Sequence, residues 1–294
     1  MGTTRIDTGF VQSGEERLFW RAVGDGPVLA CCNGVGVSTF FWKYVVEHFS
    51  EHGRVVVWDY VGHGRSDRPV DPLTADLSVG RCAADLDRVL DAAGAEDAVL
   101  LGHSMGCQVI LEYALQQPDR VRGLVPILGS AGRVLDTFYN QPRSYDVIHT
   151  LFRVARRLGP IFNVAAAPLF DNSAVWSIAR HGKLVDPYYT KPEDLLPYTQ
   201  HLARLDFRLF LGMVLQCHAH DAFPHLADIA APALVIAAER DYFTPLHVSR
   251  RMVASLVDAE MMVLADGTHA ALIEQPATLN HRVERFLREK VNRA

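Results

Sequence analysis

Several features that mark common protein classes are missing from this chain of 294 residues. No stretch reaches 18 uninterrupted apolar residues, which argues against a membrane-spanning helix and a membrane partner. The opening residues, MGTTRIDTGFVQSGEERLF, lack a basic start followed by an apolar core, so no secretory leader is expected and a cytoplasmic location is. Basic residues never run longer than a pair, and 29 Lys and Arg against 34 Asp and Glu leave a net charge of -5, so no nucleic-acid partner is expected. Cysteine is sparse. Cys31, Cys32, Cys82, Cys107 and Cys217 are odd in number, two are adjacent, and their spacing fits neither a disulfide framework nor a zinc site. Buried reduced thiols are expected, with a reactive thiol at Cys107 or Cys217 as the alternative. Internal repeats and low-complexity tracts are also lacking.

What is present is alternation. Hydrophobic residues make up 49% of the chain, enough for a substantial core. Apolar runs at Arg17–Val23, Val28–Cys32, Arg54–Asp59, Ala98–Leu101, Val121–Leu128, Ala233–Ala238 and Met261–Leu264 read as strands. Helical patterns lie between or after them at Trp42–Phe49, Leu77–Ala93, Cys107–Gln117, Pro245–Leu256 and Pro276–Val291. Strands this apolar, joined through helices, predict an α/β fold with a mostly parallel, doubly wound sheet covered on both faces.

The alternation stops between Val134 and His225. Prolines punctuate that stretch, and it reads as helices near Tyr145–Leu158, Ser173–His181, Glu193–Leu205 and Arg208–Gln216. A structureless loop of that length is implausible. Residues 1–133 and 226–294 are therefore expected to form the core, and 134–225 a helical cap, or lid, inserted into it. His218 and His220 within it are two apart, a spacing that turns them to different sides of a helix, so no metal site is expected there.

Chemistry is suggested by Val99–Gly106, VLLGHSMG, in which a short apolar run delivers Ser104 into G-x-S-x-G and a helix follows. Gly102 and Gly106 permit a sharp turn that exposes the Ser104 hydroxyl and points the Met105 NH at whatever that hydroxyl attacks. An ordinary turn serine is the bland alternative, and partners downstream argue against it. A serine needs a base, and the base needs a group to fix its tautomer. Asp241 falls at the carboxyl end of the strand Ala233–Ala238, and His269 follows the next strand on ADGTH. The chain order Ser, Asp, His accompanies the nucleophile elbow. A helix cap for Asp241 and a solvated loop position for His269 are the plain alternatives; His103 is expected to be a packed neighbour.

With these residues the chain resembles the α/β-hydrolase superfamily over nearly its whole length, in the lidded branch of serine esterases, haloperoxidase-like and lactonase-like proteins. Asn33-Gly34-Val35-Gly36 stands where that family usually carries His-Gly, so the resemblance implies an oxyanion hole made by the backbone NH groups of Val35 and Met105. Asn33 departs from the usual His, which bears on the loop's hydrogen bonding more than on the hole. Asp59-Tyr60-Val61-Gly62-His63-Gly64-Arg65-Ser66-Asp67 resembles the family's D-x-x-G-x-G-x-S turn and is expected to be structural. Ser104 at the elbow, where epoxide hydrolases and haloalkane dehalogenases of this fold use Asp, disfavours those activities. Asp136 is the second candidate acid, because some members place the acid after the preceding strand.

The expected function is a serine hydrolase that cleaves a small or medium hydrophobic carboxylic ester through an acyl-enzyme on Ser104. Lactone hydrolysis, carbon-carbon bond hydrolysis and perhydrolysis use the same constellation and stand as alternatives. A ligand receptor that retains the triad is the alternative of another class. The constellation is complete without metal or organic cofactor, so none is expected; the partner is a small-molecule ester or lactone. Phe40, Trp42, Phe152, Trp176 and Met213 are the candidate substrate-binding residues, taken from the aromatics after Val35 and the apolar residues of the insertion.

Overall fold

Period-two sorting of apolar side chains builds the centre of this molecule. In the computed structural model, which describes residues 4–166, 185–186 and 188–292, eight strands form one sheet. They are β1 (Ile6–Ser13), β2 (Glu16–Val23), β3 (Val28–Cys32), β4 (Arg54–Trp58), β5 (Ala98–His103), β6 (Val121–Ile127), β7 (Ala233–Ala238) and β8 (Ala259–Leu264). Their order is β1-β2-β4-β3-β5-β6-β7-β8. The β1–β2 and β2–β4 pairs are antiparallel and all the others parallel.

Successive residues of a strand feed opposite faces. Ala30, Val56, Trp58 and Leu100 join one apolar cluster with α2 (Val79–Ala92), α3 (Met105–Gln116) and Met252 of α8 (Leu246–Ser255). Leu29, Cys31, Val55, Val57, Val99 and Leu101 join the other, with α1 (Lys43–Phe49) and α10 (Pro276–Phe286). Helices therefore cover both faces, as a parallel sheet requires. β1 is the strand the sequence patterns did not predict. It is an edge strand whose Ile6 and Phe10 stay about half exposed, and Asp7, Thr8 and Gly9 dilute its apolar signal.

Between β6 and β7 the chain leaves the sheet. The described part of this insertion holds α4 (Ser144–Leu158), α5 (Pro160–Ala166), α6 (Pro192–Arg204) and α7 (Phe207–Ala219). No strand of the sheet lies there among the described residues; the expected helix at Ser173–His181 lies outside them. α7 is seated on two loops by glycine. A Cβ on Gly36 would stand 2.8 Å from Phe210, and one on Gly62 only 2.4 Å from Leu209, and both glycines have positive φ.

Candidate active site

β5 ends in a turn that only small neighbours allow. Ser104 has φ 55° and ψ -117°, a strained backbone for a residue with a side chain. A Cβ on Gly102 would meet the Gly106 carbonyl at 2.3 Å, and a Cβ on Gly106 the Cys32 carbonyl at 2.1 Å. Ser104 N donates to Ile127 O (3.0 Å), which ties the turn to β6, and α3 begins at Met105. The serine thus stands at the carboxyl edge of the sheet.

The loops after β7 and β8 converge on it. His269 Nε2 lies 3.0 Å from Ser104 Oγ, and His269 Nδ1 lies 2.9 and 3.1 Å from the two Asp241 carboxylate oxygens. Asp241 is 4% exposed, so its orientation is set by protein alone. Its Oδ1 also accepts from Phe243 N (2.8 Å) and Thr244 N (3.0 Å), and its Oδ2 from Thr244 Oγ1 (2.7 Å). Burial pushes this carboxyl up, but the His269 ring and the Thr244 donors hold it, on balance, below the usual carboxylate value. Asp136, the second candidate acid, is half exposed and paired with Arg133 at 2.8 Å.

The loop after β3 runs beside the serine. A Cβ on Gly34 would stand 3.0 Å from Ser104 Cβ, so glycine lets this backbone approach. Among the described residues no hydrogen-bond acceptor takes up the NH of Val35 or of Met105. The rest of the loop is tied down. Asn33 Nδ2 donates to Trp58 O (2.6 Å), Asn33 Oδ1 accepts from Trp42 Nε1 (2.8 Å), and Asn33 O accepts from the Tyr60 hydroxyl (2.8 Å). Asn in place of the usual His therefore ties the loop down through both ends of its side-chain amide. His63 Nδ1–H donates to Val61 O (3.1 Å), leaving Nε2 to accept from Gly36 N (3.1 Å). Burial lowers the His63 pKa to about 4, in keeping with this neutral form.

The turn after β4 is structural, as expected. Asp59 Oδ1 accepts from Ser38 Oγ (2.6 Å) and Thr39 N (3.0 Å), and Oδ2 from Arg65 N (3.0 Å). A Cβ on Gly64 would fall 2.1 Å from the Asp59 carboxylate. Asp67 forms a two-point pair with Arg17.

Of the five candidate substrate-binding residues, two are corrected. Trp42 is fully buried and spends its indole NH on Asn33, so it positions the loop. Met213 is fully buried in the cluster with α2 and α3. Phe152 packs near Gly212, at the contact of α4 with α7. Phe40 lines a cavity of about 290 Å³ with Gly62, Arg68, His201 and Leu205, and none of Ser104, Asp241 and His269 lines it. Trp176 lies outside the described residues. The pattern did not single out Phe243, which meets the His269 ring edge to face at 4.6 Å and stacks on Phe138 at 4.8 Å. Its place two residues after Asp241 was the available signal.

The remaining candidates are packed or paired. All five cysteines are buried and free. Burial raises the Cys107 thiol and pushes Cys217 up to about 12. His220 bridges Gln108 and Glu112, while His218 accepts from Leu135 N. His103 is buried, and its Nε2–H donates to the His269 carbonyl (3.0 Å). No helix among the described residues is long and apolar enough to cross a membrane.

A serine on a strand-to-helix elbow, with a histidine and an acid delivered to the same edge of a mainly parallel sheet, defines the α/β type of hydrolase. A family model for the alpha/beta hydrolase fold matches residues 27–276, and the chain belongs to that family. A protein of Azorhizobium caulinodans provisionally named carbamate hydrolase RutD is 29% identical over 284 residues, covering 95% of this chain and 98% of its own. A protein of the same name from Escherichia coli O7:K1 is 31% identical over 257 residues, covering 87% and 89%. Among solved structures, a thermophilic esterase from Thermogutta terrifontis gives a TM-score of 0.75 at 20% identity, over 96% of this chain and 98% of that one. The enol-lactonase from Burkholderia xenovorans LB400 gives 0.74 at 21%, over 96% and 100%. At these identities the likeness to solved structures is one of fold.

Proposed function

We propose that the protein is a serine hydrolase that cleaves a small or medium hydrophobic carboxylic ester through an acyl-enzyme on Ser104. The observation that carries this reading is the 3.0 Å approach of His269 Nε2 to Ser104 Oγ, with Asp241 2.9 Å from the opposite ring nitrogen. His269 takes the hydroxyl proton as Ser104 attacks the carbonyl carbon, and Asp241 fixes the tautomer and stabilises the imidazolium. The NH groups of Val35 and Met105 receive the oxyanion. His269 then protonates the leaving alcohol, and water, activated by the same ring, releases the acid.

The insertion acts here as a cap over the site, with Phe243 and Phe138 forming an apolar wall beside His269. A second reading, carbamate hydrolysis, is favoured by the name of the relatives at 29% and 31% identity. It uses the same steps on a carbonyl carbon that carries nitrogen.

The test is fluorophosphonate labelling together with multiple-turnover assays on p-nitrophenyl esters and aryl carbamates. Labelling at Ser104, its loss in Ser104→Ala and ester turnover are the expected results. Turnover confined to carbamates would move the assignment to the second reading. Labelling without turnover would favour a receptor that retains the triad, and no labelling would remove Ser104 as nucleophile.

A further inference from the structure

One buried carboxylate outside the triad is bonded into the turn that carries His269. Glu274 ends the short helix α9 (Ala271–Glu274) and is 6% exposed. Its Oε2 accepts from Thr268 N (3.1 Å) and its Oε1 from Thr268 Oγ1 (2.8 Å). Thr268 Oγ1 in turn accepts from Ala270 N (3.1 Å). This side chain thus pins Thr268 directly and Ala270 through the Thr268 hydroxyl, one residue on each side of His269. Among the described residues it has no Lys or Arg ion pair.

Its other donors come from the insertion. Glu274 Oε1 also accepts from Asp186 N (2.7 Å) and Thr190 Oγ1 (2.9 Å). The same short segment meets the Asp241 loop: Arg240 Nη1 donates to Asp186 Oδ2 (3.1 Å), and Arg240 N to Gly267 O (2.9 Å). The stretch around Asp186 and Thr190 therefore touches the loops of both the acid and the base.

We propose that Glu274 is a positioning residue that holds the His269 turn in register with Ser104 and makes that register depend on how the insertion seats residues 186 and 190. The proposal rests on the triad reading above. A carboxylate is required because only an acceptor at both oxygens satisfies these donors. The amide of Glu274→Gln would turn an NH₂ either toward Thr268 N or toward Asp186 N and the two hydroxyls, leaving at least one buried donor unpaired. Thr190→Val removes a single bond from the insertion side and leaves both Thr268 contacts in place.

The experiment compares the parent, Glu274→Gln and Thr190→Val. Fluorophosphonate titration counts competent Ser104 sites, ester kinetics give kcat per titrated site and KM, and NMR of ring-¹⁵N histidine follows the His269 signals. In Glu274→Gln, kcat per site is expected to fall about tenfold or more with KM within about threefold, since sub-ångström misplacement acts on the chemical step. The His269 signals shift and broaden, and Thr190→Val falls between the two. A folded Glu274→Gln with parental kcat per site and parental His269 signals overturns the proposal. If Glu274→Gln does not fold, parental kinetics and parental histidine signals in Thr190→Val overturn it. If the parent neither labels nor turns over, the triad reading fails on its own, and the histidine signals still decide whether Glu274 positions the ring.

Discussion

Asp241 is held by five hydrogen bonds, and only the two to His269 concern the base; the three to Phe243 and Thr244 fix the carboxylate plane. Asp241→Asn can keep part of that frame while presenting an NH₂ to the ring. It is expected to fold and to lose kcat on the order of 10⁴-fold, as when a histidine is set in the wrong tautomer. Circular dichroism and ester kinetics on one preparation check this, and a loss under about tenfold would move the acid elsewhere. Gly106 is the opposite case, where space rather than charge decides. A methyl there would lie 2.1 Å from the Cys32 carbonyl, and backbone on backbone has no rotamer to yield. Gly106→Ala should cost about 3 kcal/mol or more, read as a lowered urea midpoint or as loss of folded protein. These residues were legible in the sequence because elbow geometry, strand ends and chain order each restrict residue type. His63 and Glu274 were not, since a lone histidine or glutamate in a loop or short helix carries no periodic signal and its partners lie far along the chain.

The element scale separates the sheet from what is inserted in it. Buried strands such as Arg54–Trp58 announce themselves by apolar runs, because both their faces meet helices. The half-exposed β1 does not, and neither do the faces of the insertion helices. Composition alone offered Met213 and Trp42 as pocket residues, whereas α7 turns Met213 into the core and Trp42 bonds Asn33. Met213→Ala should therefore cost about 2–5 kcal/mol in stability while leaving the relative preference among ester chain lengths unchanged. A Phe243 substitution, beside His269, is the one expected to alter that preference. For the parent, each methylene buried under the proposed cap should add about 0.8 kcal/mol to transition-state binding until the space is full, so kcat/KM rises and then falls along a p-nitrophenyl ester series. A flat series, or a preference for anionic acyl groups, would contradict an apolar cap.

Acid stability belongs to the whole molecule, because its main contributors sit in different layers. His63 holds the loop after β3, His103 lies beside His269 and His201 is on α6; burial lowers them to about 4, about 3 and about 4, with the His269 ring also lowering His103. In the unfolded chain each titrates near 6.5. Between about pH 6.5 and pH 4 the unfolded state therefore binds more protons than the folded one, and stability falls as pH falls, by up to about 1.4 kcal/mol per unit for each histidine. Asp241 adds a loss in the same direction only below the usual carboxylate value, because its folded pKa is depressed. Asp59 and Asp85 oppose it: burial raises both, so the folded state takes up those protons first and gains stability as pH falls through the raised values. His218, lowered by burial and by Arg133, joins the three, and four histidines against two such aspartates set the sign above pH 4. Urea unfolding between pH 7.5 and pH 5 should show the midpoint dropping steadily, at a window set by about pH 6.5. His103→Gln, which keeps a side-chain donor near the His269 carbonyl but cannot take up a proton, should flatten that slope by the share of one histidine. A pH-independent midpoint across this range would mean that these rings are protonated in the folded state, and the neutral His63 that accepts from Gly36 N would then have to be abandoned.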